Sequence, residues 1–208
     1  MKVLVTGAAG FIGRHVSAKL VEAGHEVLGM DVALQPVKGY WHMWYIADIT
    51  KPLDPIPDLD AVVHLAAVAA PRECDANPTR AFDVNVNGTL QVLNMALKSG
   101  AKKVVFSSSA HVYDIPPRYF PTDETHPLRL NNTYTTTNSW GSSSVSCSGR
   151  TMGWRSRHFG CSTPMGRGRE RAISFPIRLR KRRSGVGRSK AATSRKTGYL
   201  STTWRMPL

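Results

Sequence analysis

An α/β fold built on a doubly wound parallel sheet is what the first two thirds of this 208-residue sequence predict. Three observations point to it. Short runs rich in β-branched residues, with no polar alternation, have the pattern of strands covered on both faces. Segments with apolar residues at helical spacing separate them, and a glycine-rich turn lies between the first strand and the first helix. The length suits one domain, or one and a fraction, with a sizeable core.

The first strand is "KVLV", Lys2 to Val5. After the turn, Phe11, Ile12, Val16, Leu20 and Val21 recur at helical spacing as far as Ala23, and Gly24 supplies a stop. "HEVLGMD" is a second strand ending in Asp31, and "WHMWYIADI" a third ending at Asp48. The proline-rich "TKPLDPIPDLD" leaves little room for a full helix before the next strand, "AVVHLAA". One long helix is predicted from Asn77 and Pro78 to Gly100, followed by a fifth strand, "KKVVFSSSA", that runs into serines. Such alternation implies right-handed crossovers, with ligands collecting at the carboxyl ends of the strands.

The turn "TGAAGFIG" sets Gly7, Gly10 and Gly13 between strand and helix. Glycines there permit a tight turn and close backbone approach, so that a pyrophosphate can sit on the free N–H groups of the helix N-terminus. Asp31 ends the next strand, 18 positions after Gly13. Its carboxylate can bind the adenosine ribose hydroxyls and repels a 2′-phosphate, which favours NAD over NADP in a Rossmann-like domain.

With "ADI" at 47–49, "HLAA" at 64–67, "NVNGT" at 85–89 and "VVFSSSAHVY" at 104–113, the chain resembles the extended short-chain dehydrogenase/reductase family, the NAD-dependent nucleotide-sugar epimerases and dehydratases. The resemblance covers residues 1 to about 137. It implies that Phe11 and Ile12 lie with the pyrophosphate turn and that Asp48 and Ile49 flank the adenine. It further implies that Ala66 and Ala67 line the cofactor, and that Asn85 is the family's helix asparagine near the active site. By the same comparison Ser109 is the catalytic hydroxyl and Tyr134, 25 positions later, the catalytic tyrosine. Tyrosine takes a proton from the substrate hydroxyl as hydride leaves for NAD, and serine hydrogen-bonds the reacting oxygen. A nucleotide-sugar substrate and a homodimeric parent belong to the same implication; no metal is expected, because no carboxylate pair accompanies His64 and His111 at ligand spacing.

Charge is divided unevenly. Residues 1–138 carry 12 Lys+Arg against 13 Asp+Glu, whereas residues 139–208 carry 16 Lys+Arg and a single acid, Glu170. A basic tail ordinarily suggests phosphate-backbone or acidic-membrane binding. Its cations, concentrated in "RLRKRRSGVGRSK", fall on no recognisable face, so neither a specific nucleic-acid partner nor a membrane is expected. Cys74, Cys147 and Cys161 have neither zinc-site nor disulfide-framework spacing, and the start "MKVLVTGAAGFIG" lacks a signal-peptide core. A cytoplasmic location is the expectation.

The family's tyrosine is followed four positions later by a lysine that holds ribose and lowers the tyrosine pKa, but "YTTTN" puts Asn138 there. Beyond it the sequence shows no strand or helix periodicity. A shifted reading frame explains both. If AAG CTC GTG GGG GAG CAG CTC, encoding KLVGEQL, loses the G of its first codon, it encodes NSWGSSS, which is residues 138–144. In the same frame "RHFGCSTPMGRG" restores to SFRVLNAYGPGQ and "KAATSRKTGYLSTTWRMP" to GGDQSKDWVPVDDVADAI, both resembling later family segments.

The sequence therefore predicts a truncated NAD-binding Rossmann domain at 1–137 and an out-of-frame, disordered basic tail at 138–208. The expected activity is hydride transfer between a sugar hydroxyl carbon and NAD, impaired in this chain. Two other readings remain open at this level: an NAD-binding sensor or scaffold whose basic tail docks on nucleic acid or membrane, and a non-sugar dehydrogenase or reductase of the same family.

Overall fold

A computed structural model of the chain describes residues 1–36, 39–114, 116–119, 125–150 and, for the backbone, 151 and 155–161. The chain divides into two units, Met1–Gly160 and Cys161–Leu208, and the described residues belong to the first except for Cys161. The strands are β1 (Lys2–Thr6), β2 (Glu26–Asp31), β3 (Met43–Ile46), β4 (Ala61–His64), β5 (Lys103–Ser109) and β6 (Arg155–Cys161), in the sheet order β3-β2-β1-β4-β5-β6. The β2–β3, β1–β2, β1–β4 and β4–β5 pairings are parallel. The chain reverses its direction of travel across the sheet between β1 and β4, so the carboxyl ends of those two strands flank the crevice where such sheets bind ligands.

Alternate residues of the central strands enter two different cores, which is why their sequences show no polar alternation. Val3, Val5 and Val27 face Val16 and Leu20 of helix α1 (Phe11–Glu22) on one side. Leu4, Leu28, Val62 and Val104 face Val92, Leu93, Met95 and Ala96 of helix α4 (Thr89–Lys98) on the other. That second core also takes in Val145, fully buried on helix α5 (Thr133–Thr151).

The long helix expected from Asn77 to Gly100 is instead composite. A short helix α2 (Pro71–Ala76) precedes it, then α3 (Pro78–Phe82) passes into a π-helical segment, Asp83–Gly88, and on into α4. The Thr89 hydroxyl donates to the Asn85 carbonyl at 2.7 Å, while the Thr89 N–H turns to Val86. Side-chain capture of that carbonyl competes with the α-type bond and is a local cause of the irregularity. The third strand is also shorter than read, because only Met43–Ile46 pairs with β2.

Within the stretch expected to be a disordered tail from Asn138, α5 continues to Thr151, and β6 follows at Arg155–Cys161. Asn132 starts α5 by accepting the Thr135 N–H at 2.8 Å, while Thr135 Oγ1 lies 3.3 Å from the Asn132 N–H. Thr137, Asn138, Gly141, Val145 and Gly149 then return to one buried face at helical spacing. That face is small and polar rather than apolar, so hydrophobic periodicity gives no sign of it, yet small residues let the helix approach β5 closely. At Gly141 a Cβ would lie 2.7 Å from the Phe106 ring. The remaining tail, residues 162–208, lies outside the described residues.

Candidate functional site

The glycine turn follows β1 directly. Gly7 has φ +67°, and a Cβ there would come within 2.7 Å of the Ala66 nitrogen, so both its conformation and its neighbour require glycine. At Gly13 a Cβ would lie 2.8 Å from Ala8 Cα, so the first turn of α1 packs against the loop that leads into it. Gly10 caps α1 without any side-chain hydrogen bond, and the first turn contains no acidic residue. No acidic side chain of the helix's own first turn opposes its positive dipole end, a fit to an anionic group.

Asp31 stands at the end of β2, and its Oδ2 accepts the Ala9 N–H of the glycine turn at 3.0 Å. Its Oδ1 accepts the Ala33 N–H at 3.1 Å, and each oxygen retains a lone pair for a further donor such as a ribose hydroxyl. Asp48 is exposed, and the Thr50 N–H at 2.9 Å is the main cause that holds its carboxyl below the usual range. Ile49 is buried in the α4-side core, which leaves only its backbone to meet a ligand. Ala66 is half-buried and Ala67 exposed where the chain leaves β4, Phe11 is exposed, and Ile12 packs partly into the α1-side core.

Ser109 ends β5, buried, its Oγ accepting the His111 N–H at 3.2 Å. Tyr134 is the second residue of α5, half-buried against the cluster of Val68, Cys74 and Ala81. Because α5 packs along β5, both residues belong to one helix–strand layer. Asn85 is buried in the π-helical segment and fully engaged: Oδ1 accepts the Val68 N–H at 2.8 Å, and Nδ2 donates to the Val68 carbonyl and to Thr137 Oγ1, each at 3.1 Å. It therefore ties the loop after β4 to α5. Asn138, one turn beyond Tyr134, is also buried and accepts from Ser108 Oγ at 3.1 Å, while Ser108 Oγ receives the Ser142 hydroxyl at 3.0 Å.

Sequence reasoning assigned no role to Thr6, His64 and Thr89, which form a buried polar chain behind the site. His64 Nδ1 lies 2.7 Å from Thr6 Oγ1 and its Nε2 3.0 Å from Thr89 Oγ1. "HLAA" and "NVNGT" contain two of its members, but only the fold shows that they meet. Burial pushes the imidazole down to about 4. Between pH 6.5 and 4 the unfolded chain binds a proton there that the folded chain does not, so this group makes stability fall as pH drops through that window. The expected loss reaches about 3 kcal/mol near pH 4. Urea midpoints followed from pH 7 to 4.5 check it, and a His64→Gln variant should flatten the dependence.

Glycine turn, uncapped helix and strand-end carboxylate together define a dinucleotide-binding α/β domain, with a serine and a tyrosine on the adjoining β5 and α5. The profile of the NAD dependent epimerase/dehydratase family matches residues 3–185. The chain is 37% identical over 139 residues to a putative UDP-glucose 4-epimerase of Methanocaldococcus jannaschii, covering 64% of this chain and 46% of that one. It is 36% identical over 149 residues to the UDP-glucose 4-epimerase of Bacillus subtilis, covering 64% and 44%. Among solved structures, a short-chain dehydrogenase/reductase superfamily protein from Agrobacterium tumefaciens with bound NAD superposes with a TM-score of 0.70 at 32% identity, covering 78% of this chain and 49% of that one. The UDP-glucose 4-epimerase of Thermotoga maritima with UDP-glucose gives 0.68 at 28% identity, covering 77% and 55%.

The chain belongs to the NAD-dependent epimerase/dehydratase family. It spans about half the length of the curated relatives it matches. Among the described residues no helix is long and apolar enough to cross a membrane, and no group of three or more His, Cys, Asp or Glu could hold a metal ion.

Proposed function

We propose that this chain is the NAD-binding portion of a nucleotide-sugar epimerase or dehydratase. The observation that carries this reading is the Asp31 carboxylate seated on the Ala9 N–H of the glycine turn, beside the uncapped N-terminus of α1. The pyrophosphate would rest on the first turn of α1, and Asp31 would accept the adenosine ribose hydroxyls. A 2′-phosphate would meet the Asp31 carboxylate and be repelled. NAD, when bound, supplies a hydride acceptor next to the sugar carbon.

The protein's own part is proton handling and placement. Tyr134 would take the proton of the substrate hydroxyl through its phenolic oxygen, and Ser109 Oγ would hydrogen-bond the same sugar oxygen. Asn85 would keep α5 in register with the loop after β4 through Thr137. Asn138 supplies an amide and no cation at the turn below Tyr134, so the phenol lacks the nearby charge that would favour its ionised form. We accordingly read the stretch from Asn138 onward as out of frame and the activity of this chain as impaired. UDP-sugars are the first substrates to test, since the relatives are UDP-glucose 4-epimerases.

Replacing Asp31 by alanine should weaken NAD binding by about ten-fold or more while affecting NADP less, because one or two charge-assisted hydrogen bonds are lost and the repulsion is relieved. Fluorescence titration of both dinucleotides against the wild-type chain and the Asp31→Ala variant checks it. Equal affinities in the two proteins would remove Asp31 from the site.

A homodimer is proposed for the intact parent, with α3, α4 and α5 supplying the contact. Phe82, Leu90, Leu97 and Trp140 are exposed there, and the Phe82 and Trp140 rings meet edge to face at 6.3 Å.

A further inference from the structure

The buried chain behind the site has a direction. Thr89 has one hydroxyl proton and donates it to the Asn85 carbonyl at 2.7 Å, so toward His64 Nε2, 3.0 Å away, it can only accept. His64 Nε2 therefore carries the ring proton and Nδ1 is an acceptor. Thr6 Oγ1 donates to that Nδ1 at 2.7 Å, while its oxygen accepts the N–H groups of Leu65 and Ala66 at 3.2 and 3.3 Å. Every hydroxyl proton and ring nitrogen from β1 to the π-helical segment is used once, with no choice of orientation.

The two ends of this chain are the two halves of the site. At one end Ala66 lies directly beneath Gly7, where a Cβ would meet its nitrogen at 2.7 Å. At the other, Asn85 grips Val68 and, through Thr137, the helix that bears Tyr134. The faces around the ring come from Thr6 of β1, Phe106 of β5 with ring centroids 5.8 Å apart, and Thr89 and Asn85. None of these is titratable, and burial is the cause of the shifted ionisation, with no charged neighbour contributing.

We propose that His64, as its Nε2–H tautomer, is a positioning residue that fixes the glycine turn relative to the Tyr134 helix. The proposal rests on the reading of that turn as the NAD site. It assigns separate duties to the two nitrogens: Nδ1 holds the turn through Thr6, and Nε2 holds α5 through Thr89 and Asn85. A generic core histidine would have no such division.

Two amide substitutions separate the duties, because asparagine places an acceptor near Nδ1 and glutamine a donor near Nε2. In His64→Asn the Ala66 amide should keep its protection from hydrogen exchange while the Val68 amide exchanges about ten-fold faster, as for loss of one hydrogen bond. In His64→Gln the pattern should reverse, and NAD affinity should fall about ten-fold, further than in His64→Asn. The imidazole nitrogen spectrum of the unmutated chain, which needs no variant, should show a protonated Nε2 and a bare Nδ1. An Nδ1–H tautomer, or equal acceleration of Ala66 and Val68 in both variants, would overturn the proposal. If the unmutated chain fails to bind NAD, the functional reading falls, and the exchange pattern and the tautomer still decide the role of His64.

Discussion

Inserting one G into codon 138, so that translation continues Tyr-Thr-Thr-Thr-Lys, should raise turnover of UDP-sugars by roughly 10²–10⁴-fold over the present chain, the range associated with a working general acid–base group. The lysine would stand one turn below Tyr134, where Asn138 is now buried and bonded to Ser108. An ammonium there needs anionic or dipolar neighbours to offset its desolvation, and an ionising phenol with a ribose at hand supplies them. The single substitution Asn138→Lys isolates this local effect from repair of the tail. It should move the acidic limb of the pH–rate profile, where Tyr134 loses its proton, to lower pH while giving only part of the recovered rate. Coupled assays of both proteins with UDP-glucose and UDP-galactose check the outcome. No gain in either would contradict the frame hypothesis.

The second large effect is structural. Replacing Asn85 by leucine should cost about 3–5 kcal/mol, because the Val68 N–H, the Val68 carbonyl and the Thr137 hydroxyl lose this partner in a buried setting. For a domain of this size that corresponds to a fall in Tm of roughly 10 °C. Asn85→Asp keeps the acceptor and loses both donors, so its loss should be smaller at the Val68 N–H and undiminished at Thr137. Differential scanning calorimetry checks the size of the effect, and amide exchange at Val68 checks its place. A fall of less than about 1 kcal/mol in Asn85→Leu would show that the loop and α5 are held by packing alone.

What was legible in the sequence divides along physical lines. The glycine turn was legible because only glycine fits beneath Ala66 at φ +67°, and that demand leaves a residue-type signature. The central strands were legible because both their faces are buried, which removes polar alternation from Val3–Val5 and Ala61–Val63. The helix from Asn77 looked uniform because its apolar period persists through the π-helical segment, while the Thr89 hydroxyl bond that accompanies the irregularity leaves no hydrophobic trace. The face of α5 from Thr137 to Gly149 escaped notice for the opposite reason: it packs through small and polar residues, with Val145 as its fully buried apolar anchor.

The arrangement of the candidate site was legible in a similar measure. Asp31 could be placed because its distance from the glycines is set by one helix and one strand. The Thr6–His64–Thr89 chain could not, because its members lie 58 and 25 positions apart and meet only when β1, β4 and α4 are assembled. Ile49 owes its assigned role to the resemblance alone, and its side chain lies in the α4-side core.

Calorimetric titration of NAD and NADP into the purified chain tests the central claim most directly. The account predicts saturable one-to-one binding of NAD, at least about ten-fold tighter than NADP, that disappears when Asp31 is replaced by lysine. Absence of NAD binding by a folded chain, or an equal or higher affinity for NADP, would contradict it.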